Sequence, residues 1–333
     1  MGNSISLIKN LKRIRKFKNA KKFKTFDSES NETNETNELH TCSYISDSST
    51  KTESKHNYIF SSKFDESERI KRKHFVIKYI FEENFSAPVK DLLTNGCRVL
   101  DVGCGPGTWI LDMASEYTRS SFVGLDIFPM FPSEIKPNNT DFILADVLND
   151  LPFESNYFDY IHLGDMGYCF TEYEFDCIVT ECRRILKPGG WIEFQEIHHF
   201  MSNPGPCSEK FCSLAKNWTD SKEIRSFPYS QNELKKNPNI TNINEVVKQI
   251  PMGSWGGKLG EEFEESFYVL LFYVAKPVAK MHNCPVEEIN ELINNMQLEV
   301  SEYKSFYDFT RTFGQKEYSE DNEISNEITN END

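Results

Sequence analysis

A doubly wound α/β fold built on a largely parallel sheet is predicted from three observations. Short apolar runs of strand length recur between about residues 98 and 197, helical or loop stretches separate them, and the first run ends in a glycine-rich turn that opens a helix. Strands that read as near-continuous apolar runs are buried on both faces, which places helices on both sides of the sheet.

The elements follow in chain order. Glu66–Phe85 reads as an amphipathic helix, with Ile70, His74, Ile77, Ile80 and Phe81 near one face and Arg69, Lys71, Arg72, Lys73 and Lys78 mostly elsewhere. A short helix around Val89–Leu93 follows Pro88 and is closed by Gly96. Strands are expected at Arg98–Asp101, Ser121–Asp126, Asp141–Ala145, Tyr157–Leu163 and Trp191–Ile197. Thr108–Tyr117 carries Trp109, Ile110, Met113 and Ala114 at helical spacing. Glu172–Leu186 does the same with Phe175, Ile178, Val179, Cys182 and Leu186. Beyond Ile197 the pattern weakens. Helices are expected at Ser208–Trp218, Glu261–Lys280 (with Pro277 near its end) and Pro285–Glu299, and a strand at Ile243–Ile250. Tyr307, Phe309, Arg311 and Phe313 alternate with Asp308, Thr310 and Thr312, which suits a final strand before Gly314.

The 333 residues are 38% hydrophobic, below the apolar share of a typical globular domain. The shortfall is concentrated in two places. Residues 27–57 are rich in Ser, Glu, Asn, Thr and Lys, and residues 317–333 form an acidic tail. Neither segment has the apolar surface to offset its ordering entropy, so both are expected to be disordered. The division is therefore a basic arm (1–26), a polar linker (27–57), a folded domain (58–316) and the tail.

The net charge of −15 is uneven. Nine basic residues and no acidic one lie in residues 1–26, leaving 28 basic against 52 acidic elsewhere, a balance of −24. An acidic body argues against nucleic acid as a partner of the fold itself. The nine cysteines, with no secretory signal read at the N-terminus and no apolar run of about 18 residues, are expected to be reduced thiols of an intracellular protein. Cys177/Cys182 and Cys207/Cys212 lack a usual zinc spacing. His198 and His199, adjacent on a strand, point to opposite faces, so no metal site is assigned.

The chemistry centres on Asp101-Val102-Gly103-Cys104-Gly105-Pro106-Gly107. A tight strand-to-helix turn needs backbone angles that glycine tolerates, and a ligand lying on the turn leaves no room for a Cβ. The helix that follows aims its free N–H groups at an anion. A nicotinamide fingerprint is Gly-x-Gly-x-x-Gly/Ala. Here the sixth position is Thr108 and the third glycine falls one place early, at Gly107. The Gly-x-Gly-x-Gly form preceded by an acid is the S-adenosylmethionine (SAM) version, in which the anion is the methionine carboxylate. Asp126, with Ile127 beside it, ends the second strand and can accept both ribose hydroxyls. Asp146 can take the exocyclic amine of adenine while Val147 supports the ring. The cofactor-binding set is thus Asp101, Gly103, Cys104, Gly105, Gly107, Asp126, Ile127, Asp146 and Val147.

Residues Val99–Glu196 resemble class I SAM-dependent methyltransferases. The likeness rests on the glycine turn, Leu151-Pro152-Phe153 before Phe158-Asp159-Tyr160-Ile161, and Leu186-Lys187-Pro188-Gly189-Gly190 before the fifth strand. More narrowly the chain resembles the fungal LaeA-like (TAM-type) methyltransferases, through Gly103–Trp109, Gly190–Glu196, Trp255–Gly260 and Gly314-Gln315-Lys316. The resemblance implies a Rossmann-like doubly wound sheet of about seven strands, with helical additions near residues 200–300 covering the substrate side. It implies SAM as cofactor and methyl transfer to an unidentified acceptor, a small molecule or a protein. The alternative is a SAM-binding regulatory or scaffold protein with little turnover and a regulatory protein partner. Methyl transfer needs a base only when the nucleophile arrives protonated. Candidates are His162, Asp165 and Tyr168 near the tip of the fourth strand and Glu196, His198 and His199 after the fifth. In the LaeA-like pattern an arginine often stands two residues after the histidine matching His162; Gly164 occupies that place here.

The N-terminus adds a second signal. Met1-Gly2-Asn3-Ser4-Ile5-Ser6 matches an N-myristoylation pattern, and Lys9–Lys24 supplies the polybasic patch that a single acyl chain needs. The expectation is attachment of residues 1–26 to an anionic membrane surface at its cytoplasmic face. A cytoplasmic location is expected alongside it, and a nuclear localisation signal or a merely solvated arm is the alternative.

Overall fold

The structure is a computed structural model that describes residues 63–198, 200–225, 228–229 and 231–318. The expectations for the basic arm, the linker, His199 and the end of the tail lie outside the described residues.

Two helices precede the sheet: α1 (Lys63–Phe81) and α2 (Lys90–Asn95), the latter closed by Gly96 at φ +107°. Then come β1 (Arg98–Val102), α3 (Thr108–Glu116), β2 (Ser121–Asp126), β3 (Thr140–Leu144), β4 (Phe158–Gly164), α4 (Glu172–Ile185) and β5 (Leu186–Ile197). The second half contributes α5 (Pro206–Ser221), α6 (Gln231–Leu234), β6 (Ile240–Pro251), α7 (Gly257–Met281), α8 (Val286–Glu299) and β7 (Phe306–Lys316). The seven strands line up in the order β3-β2-β1-β4-β5-β7-β6, with β7 antiparallel to both neighbours and the first five parallel. This is the expected doubly wound sheet, with the order reversing beside β1.

Period-two alternation sorts the side chains onto two faces. Leu100, Val102, Ile161, Leu163, Ile192 and Phe194 point toward α4, whose Phe175, Ile178, Val179, Cys182 and Ile185 complete one core. Val99, Phe122, Tyr160 and Phe313 point to the other face and pack on Trp109, Ile110, Met113 and Ala114 of α3. Local sequence fixes the limits of α4. Thr171 and Glu174 form a reciprocal capping box at its start, and Arg183 and Arg184 lie in its last turn. A third core joins Val76 and Ile77 of α1 to α5, α7, α8 and the ends of β6 and β7 that border the C-terminal edge of β5. The helical additions therefore lie where they were expected, on the side where ligands of such sheets bind.

Some boundaries differ from expectation. β5 begins at Leu186 rather than Trp191. Phe158 already pairs with Leu186, and a register shift then absorbs the extra residues before Tyr160 meets Trp191. β7 runs through Gly314 to Lys316 because Gly314 pairs with Ile192 inside the sheet. The short α6 has no amphipathic length to reveal it.

The α3 face of the sheet also carries a row of buried polar groups. Asp101, His162 and Glu193 are cross-strand neighbours on β1, β4 and β5, and Gln195 pairs with Arg311 on β7. Glu193 is fully buried and accepts hydrogen bonds from the backbone N–H groups of Ser86 and Ala87 and from the Tyr160 hydroxyl. Its carboxylate is 3.7 Å from the Arg311 guanidinium. Arg311 donates to Gln195 and to the Glu83 carbonyl and stacks on Phe81. Replacing Glu193 by Ala leaves a buried arginine and two buried N–H groups short of a partner, at a cost of about 3 to 5 kcal/mol. Urea denaturation of Glu193→Ala checks this. A loss below about 1 kcal/mol would show that the row contributes no more than a surface ion pair.

Candidate functional site

β1 delivers the chain into the turn at Gly103–Gly107, where three glycines hold positive φ: +70° at Gly103, +53° at Gly105 and +71° at Gly107. The turn is pinned to β2. The N–H groups of Gly103 and Cys104 donate to the Leu125 carbonyl at 2.8 and 3.0 Å, and the Gly105 N–H donates to Asp126 Oδ2 at 2.7 Å. The other Asp126 oxygen accepts from Phe128 N–H at 2.8 Å. Burial raises the Asp126 carboxyl above its usual range, and the backbone N–H groups of Phe128, Gly105 and Ile127 oppose that rise. A carboxylate has about four acceptor positions, so three backbone donors leave room for a ligand hydroxyl.

The three glycines have different surroundings. A Cβ at Gly103 would overlap the thioether of Met166, and one at Gly107 would lie 2.6 Å from the Phe142 ring. A Cβ at Gly105 would meet only the tips of Ile70 (3.3 Å) and Met130 (3.9 Å), so this part of the turn is open backbone beneath flexible side chains. α3 starts at Thr108 with Gly107 as an αL N-cap that supplies no side-chain acceptor. The Thr108 hydroxyl is buried there with no hydrogen-bond partner among the described residues. Uncapped N–H groups and an orphaned hydroxyl at a helix start are what an anionic group would satisfy. The residues present thus fit a ligand with a carboxylate at α3 and hydroxyls at Asp126.

The remaining expected cofactor residues divide. Asp146 is half-buried near the end of β2, since Ala145 N–H donates to the Asp126 carbonyl; Asp146 itself accepts from Leu148 N–H. Val147 belongs to the α4-side core, and Cys104 to the α3-side core with its thiol pushed well up by burial. Ile127 is partly exposed beside Asp126. Asp101 is buried, its Oδ1 2.7 Å from His162 Nδ1.

The catalytic candidates do not form one cluster. His162 is buried on the α3 face, against Asp101 and Trp109. His198 has its Nε2 2.7 Å from Thr310 Oγ1 on β7. Asp165, Tyr168 and Glu196 gather at the C-terminal ends of β4 and β5. Asp165 (φ +55°) pairs with Lys73 of α1 at 2.6 Å, and Tyr168 donates its hydroxyl to the Ile197 carbonyl. Glu196 is buried beneath Gly167 and accepts from Tyr229 N–H. Burial pushes its carboxyl up to about 7, against the nearby Arg225 and the backbone donors. Sequence reasoning missed Ile70 and Met166, which cover the turn, and Trp109 as the partner of His162. Helical spacing marks Trp109 only as a core residue. A groove of about 420 Å³ between α5 and α8, lined by Lys210, Leu214, His282 and Glu288 among others, contains none of the expected residues.

A family model described as a methyltransferase domain matches residues 99–190. The chain is 30% identical over 184 residues to the N-methyltransferase verN of Clonostachys rogersoniana, covering 53% of this chain and 62% of that protein. It is 30% identical over 168 residues to the methyltransferase pytC of Aspergillus terreus, covering 47% and 50%. It is 25% identical over 221 residues to the secondary metabolism regulator laeA of Aspergillus fumisynnematus, covering 62% and 58%. The chain thus spans between half and two thirds of the length of these relatives.

Two predictions follow from the site. Gly105→Asp places an anion where backbone is open, so it should abolish binding of an anionic ligand, at a stability cost of about 1 kcal/mol from the positive φ alone. Gly107→Ala forces a Cβ into the Phe142 ring in an αL position and should destabilise the fold by about 2 kcal/mol or more. Calorimetry and thermal melts on both variants check the contrast, and an equal loss of stability in the two would contradict it.

Glu196 predicts a pH dependence. Its folded pKa of about 7 exceeds the ordinary 4.5. The neutral acid is therefore the favoured folded form, and its stability is fully present below about pH 4.5 and lost as pH rises through about 7. Relative to Glu196→Gln, which keeps the neutral form, the wild type should lose roughly 3 kcal/mol across that interval. Denaturant titrations of both proteins between these pH values measure it, and parallel curves would refute it.

Residues 99–190 match a methyltransferase domain, and with the glycine turn and its anchored acid the chain resembles class I SAM-dependent methyltransferases, the LaeA-like proteins among them.

Proposed function

We propose that this chain binds SAM on the turn Gly103–Gly107 and transfers its methyl group to an acceptor held at the C-terminal ends of β4 and β5. The observation that carries the reading is the positive-φ glycine turn tied to Asp126 and opening the uncapped α3 with its orphaned Thr108 hydroxyl. The start of α3 would receive the methionine carboxylate, Asp126 the ribose hydroxyls, and Asp146 with Val147 the adenine. When bound, SAM supplies an electrophilic methyl group on a sulfonium. The protein's part is alignment of the nucleophile and exclusion of water. Asp165, Tyr168 and Glu196 lie on the acceptor side, and a buried carboxyl such as Glu196 can take a proton from a nucleophile that arrives protonated.

A second reading is a SAM-binding regulator with little turnover. It is favoured by the burial of both His162 and Glu196, and the relative laeA is named a secondary metabolism regulator. Purified protein should bind SAM, and NAD at comparable concentration should not displace it, because the third glycine is misplaced for a pyrophosphate. Radiolabelled SAM incubated with protein and metabolite fractions then separates the readings. Transfer of label supports the enzyme, binding without transfer supports the regulator, and displacement by NAD overturns both.

A further inference from the structure

Asp101 and His162 are direct cross-strand partners on β1 and β4, and both are buried. The His162 ring is locked in place. Its Nδ1 is 2.7 Å from Asp101 Oδ1, and the Trp109 indole lies parallel to it, with centroids 4.1 Å apart and 5° between planes. Trp109 is in turn fixed by donating its indole N–H to the Asn84 carbonyl at 2.8 Å. On the remaining side a Cβ at Gly164 would come within 3.1 Å of His162 Cε1, so glycine at that position leaves the ring room.

The far nitrogen, His162 Nε2, is buried with no hydrogen-bond partner among the described residues. That asymmetry selects the form of the ring. An imidazolium would bury an N–H donor with nothing to accept it. The neutral ring with its proton on Nδ1 leaves only an unused lone pair, which is the smaller penalty. In that form Nδ1–H donates to Asp101 and the carboxylate keeps its whole negative charge. An imidazolium would cancel that charge locally.

We propose that His162 is a positioning residue. It holds Oδ1 of Asp101 through Nδ1–H, so that the second carboxylate oxygen and an undiminished negative charge face the ammonium group of the cofactor's amino-acid end. This rests on the reading that the turn binds SAM. It gives His162 a role on the cofactor side of the reaction, although the residue lies near the tip of the strand where an acceptor-side base was expected. Trp109 and Gly164 serve the same end by keeping the ring in one orientation.

The test uses the full chain. An asparagine amide overlays the Nδ1 position of histidine, and a glutamine amide overlays Nε2. His162→Asn should therefore keep SAM affinity within about threefold of wild type. His162→Gln and His162→Leu should each lose about tenfold or more, the worth of a hydrogen bond to a charged group. In an Asp101→Asn background these losses should vanish. Nitrogen NMR of histidine-labelled protein without cofactor should show His162 protonated at Nδ1 and bare at Nε2. The proposal is overturned if His162→Leu binds SAM like wild type, if the Asn and Gln variants lose equally, or if both nitrogens carry protons. Should the leucine variant fail to fold, the Asn and Gln comparison decides. Wild-type protein that shows the expected tautomer but binds no SAM would overturn the reading of the turn and, with it, this role.

Discussion

The buried polar row on the α3 face of the sheet is the constraint from which the rest of the arrangement follows. Five adjacent or nearly adjacent side chains, Asp101, His162, Glu193, Gln195 and Arg311, sit where apolar residues would pack without cost. Charges out of water are tolerated only when paired and hydrogen-bonded. Within the sheet they satisfy one another in part: Asp101 with His162, and Arg311 with Gln195 and Glu193. What remains is met by the segment that leads from α1 to α2. The N–H groups of Ser86 and Ala87 turn to Glu193, the Glu83 carbonyl accepts from Arg311, and Asn84 accepts from Trp109.

That requirement sets the path of the chain before the sheet. With residues 83–87 held on the α3 face, α1 is tied along its length to the structure around the turn. His74 and Lys78 meet Asp112 of α3, Lys73 meets Asp165 beyond β4, and Arg72 meets Glu262 and Glu265 of α7. Ile70 then comes to rest against Gly105. Burial lowers the Lys73 pKa while Asp165 opposes that shift, so this pair is an interaction inside the protein rather than a screened surface contact. The helix that covers the glycine turn is therefore positioned by charges that belong partly to the fold and partly to the site.

Much of this was legible in the sequence, and the parts that were not share a cause. The five parallel strands announced themselves because burial on both faces demands apolar runs. The glycine turn did so because its spacing follows from backbone sterics. α4 was placed by the helical spacing of Phe175, Ile178, Val179, Cys182 and Leu186, and the Thr171–Glu174 capping box then fixes its start. What stayed hidden depends on register between strands. Asp101 and His162 are 61 residues apart, and nothing local says that β4 lies beside β1 with these two in line. The same holds for Glu193, which reads as an ordinary charge in a strand until Ser86 and Ala87 are placed upon it. His162 was taken for an acceptor-side candidate because it ends a strand at the ligand-binding edge. Side-chain parity sends it to the α3 face, whereas Glu196, Phe194 and Ile192 go to the α4 face.

Parity also explains how one sheet edge keeps two kinds of carboxylate apart. Asp101 is buried beside the glycine turn with a histidine donor, while Glu196 is buried on the opposite face, under Gly167 and Tyr229. Asp101 lies with its Oδ1 2.7 Å from His162 Nδ1. Glu196 has backbone donors, but desolvation is its largest influence and raises it to about 7. A carboxyl that titrates near neutrality suits proton exchange. The two sit at the ends of strands β1 and β5, separated by β4 and by the sheet itself, so the sheet divides the cofactor side from the acceptor-side carboxyl.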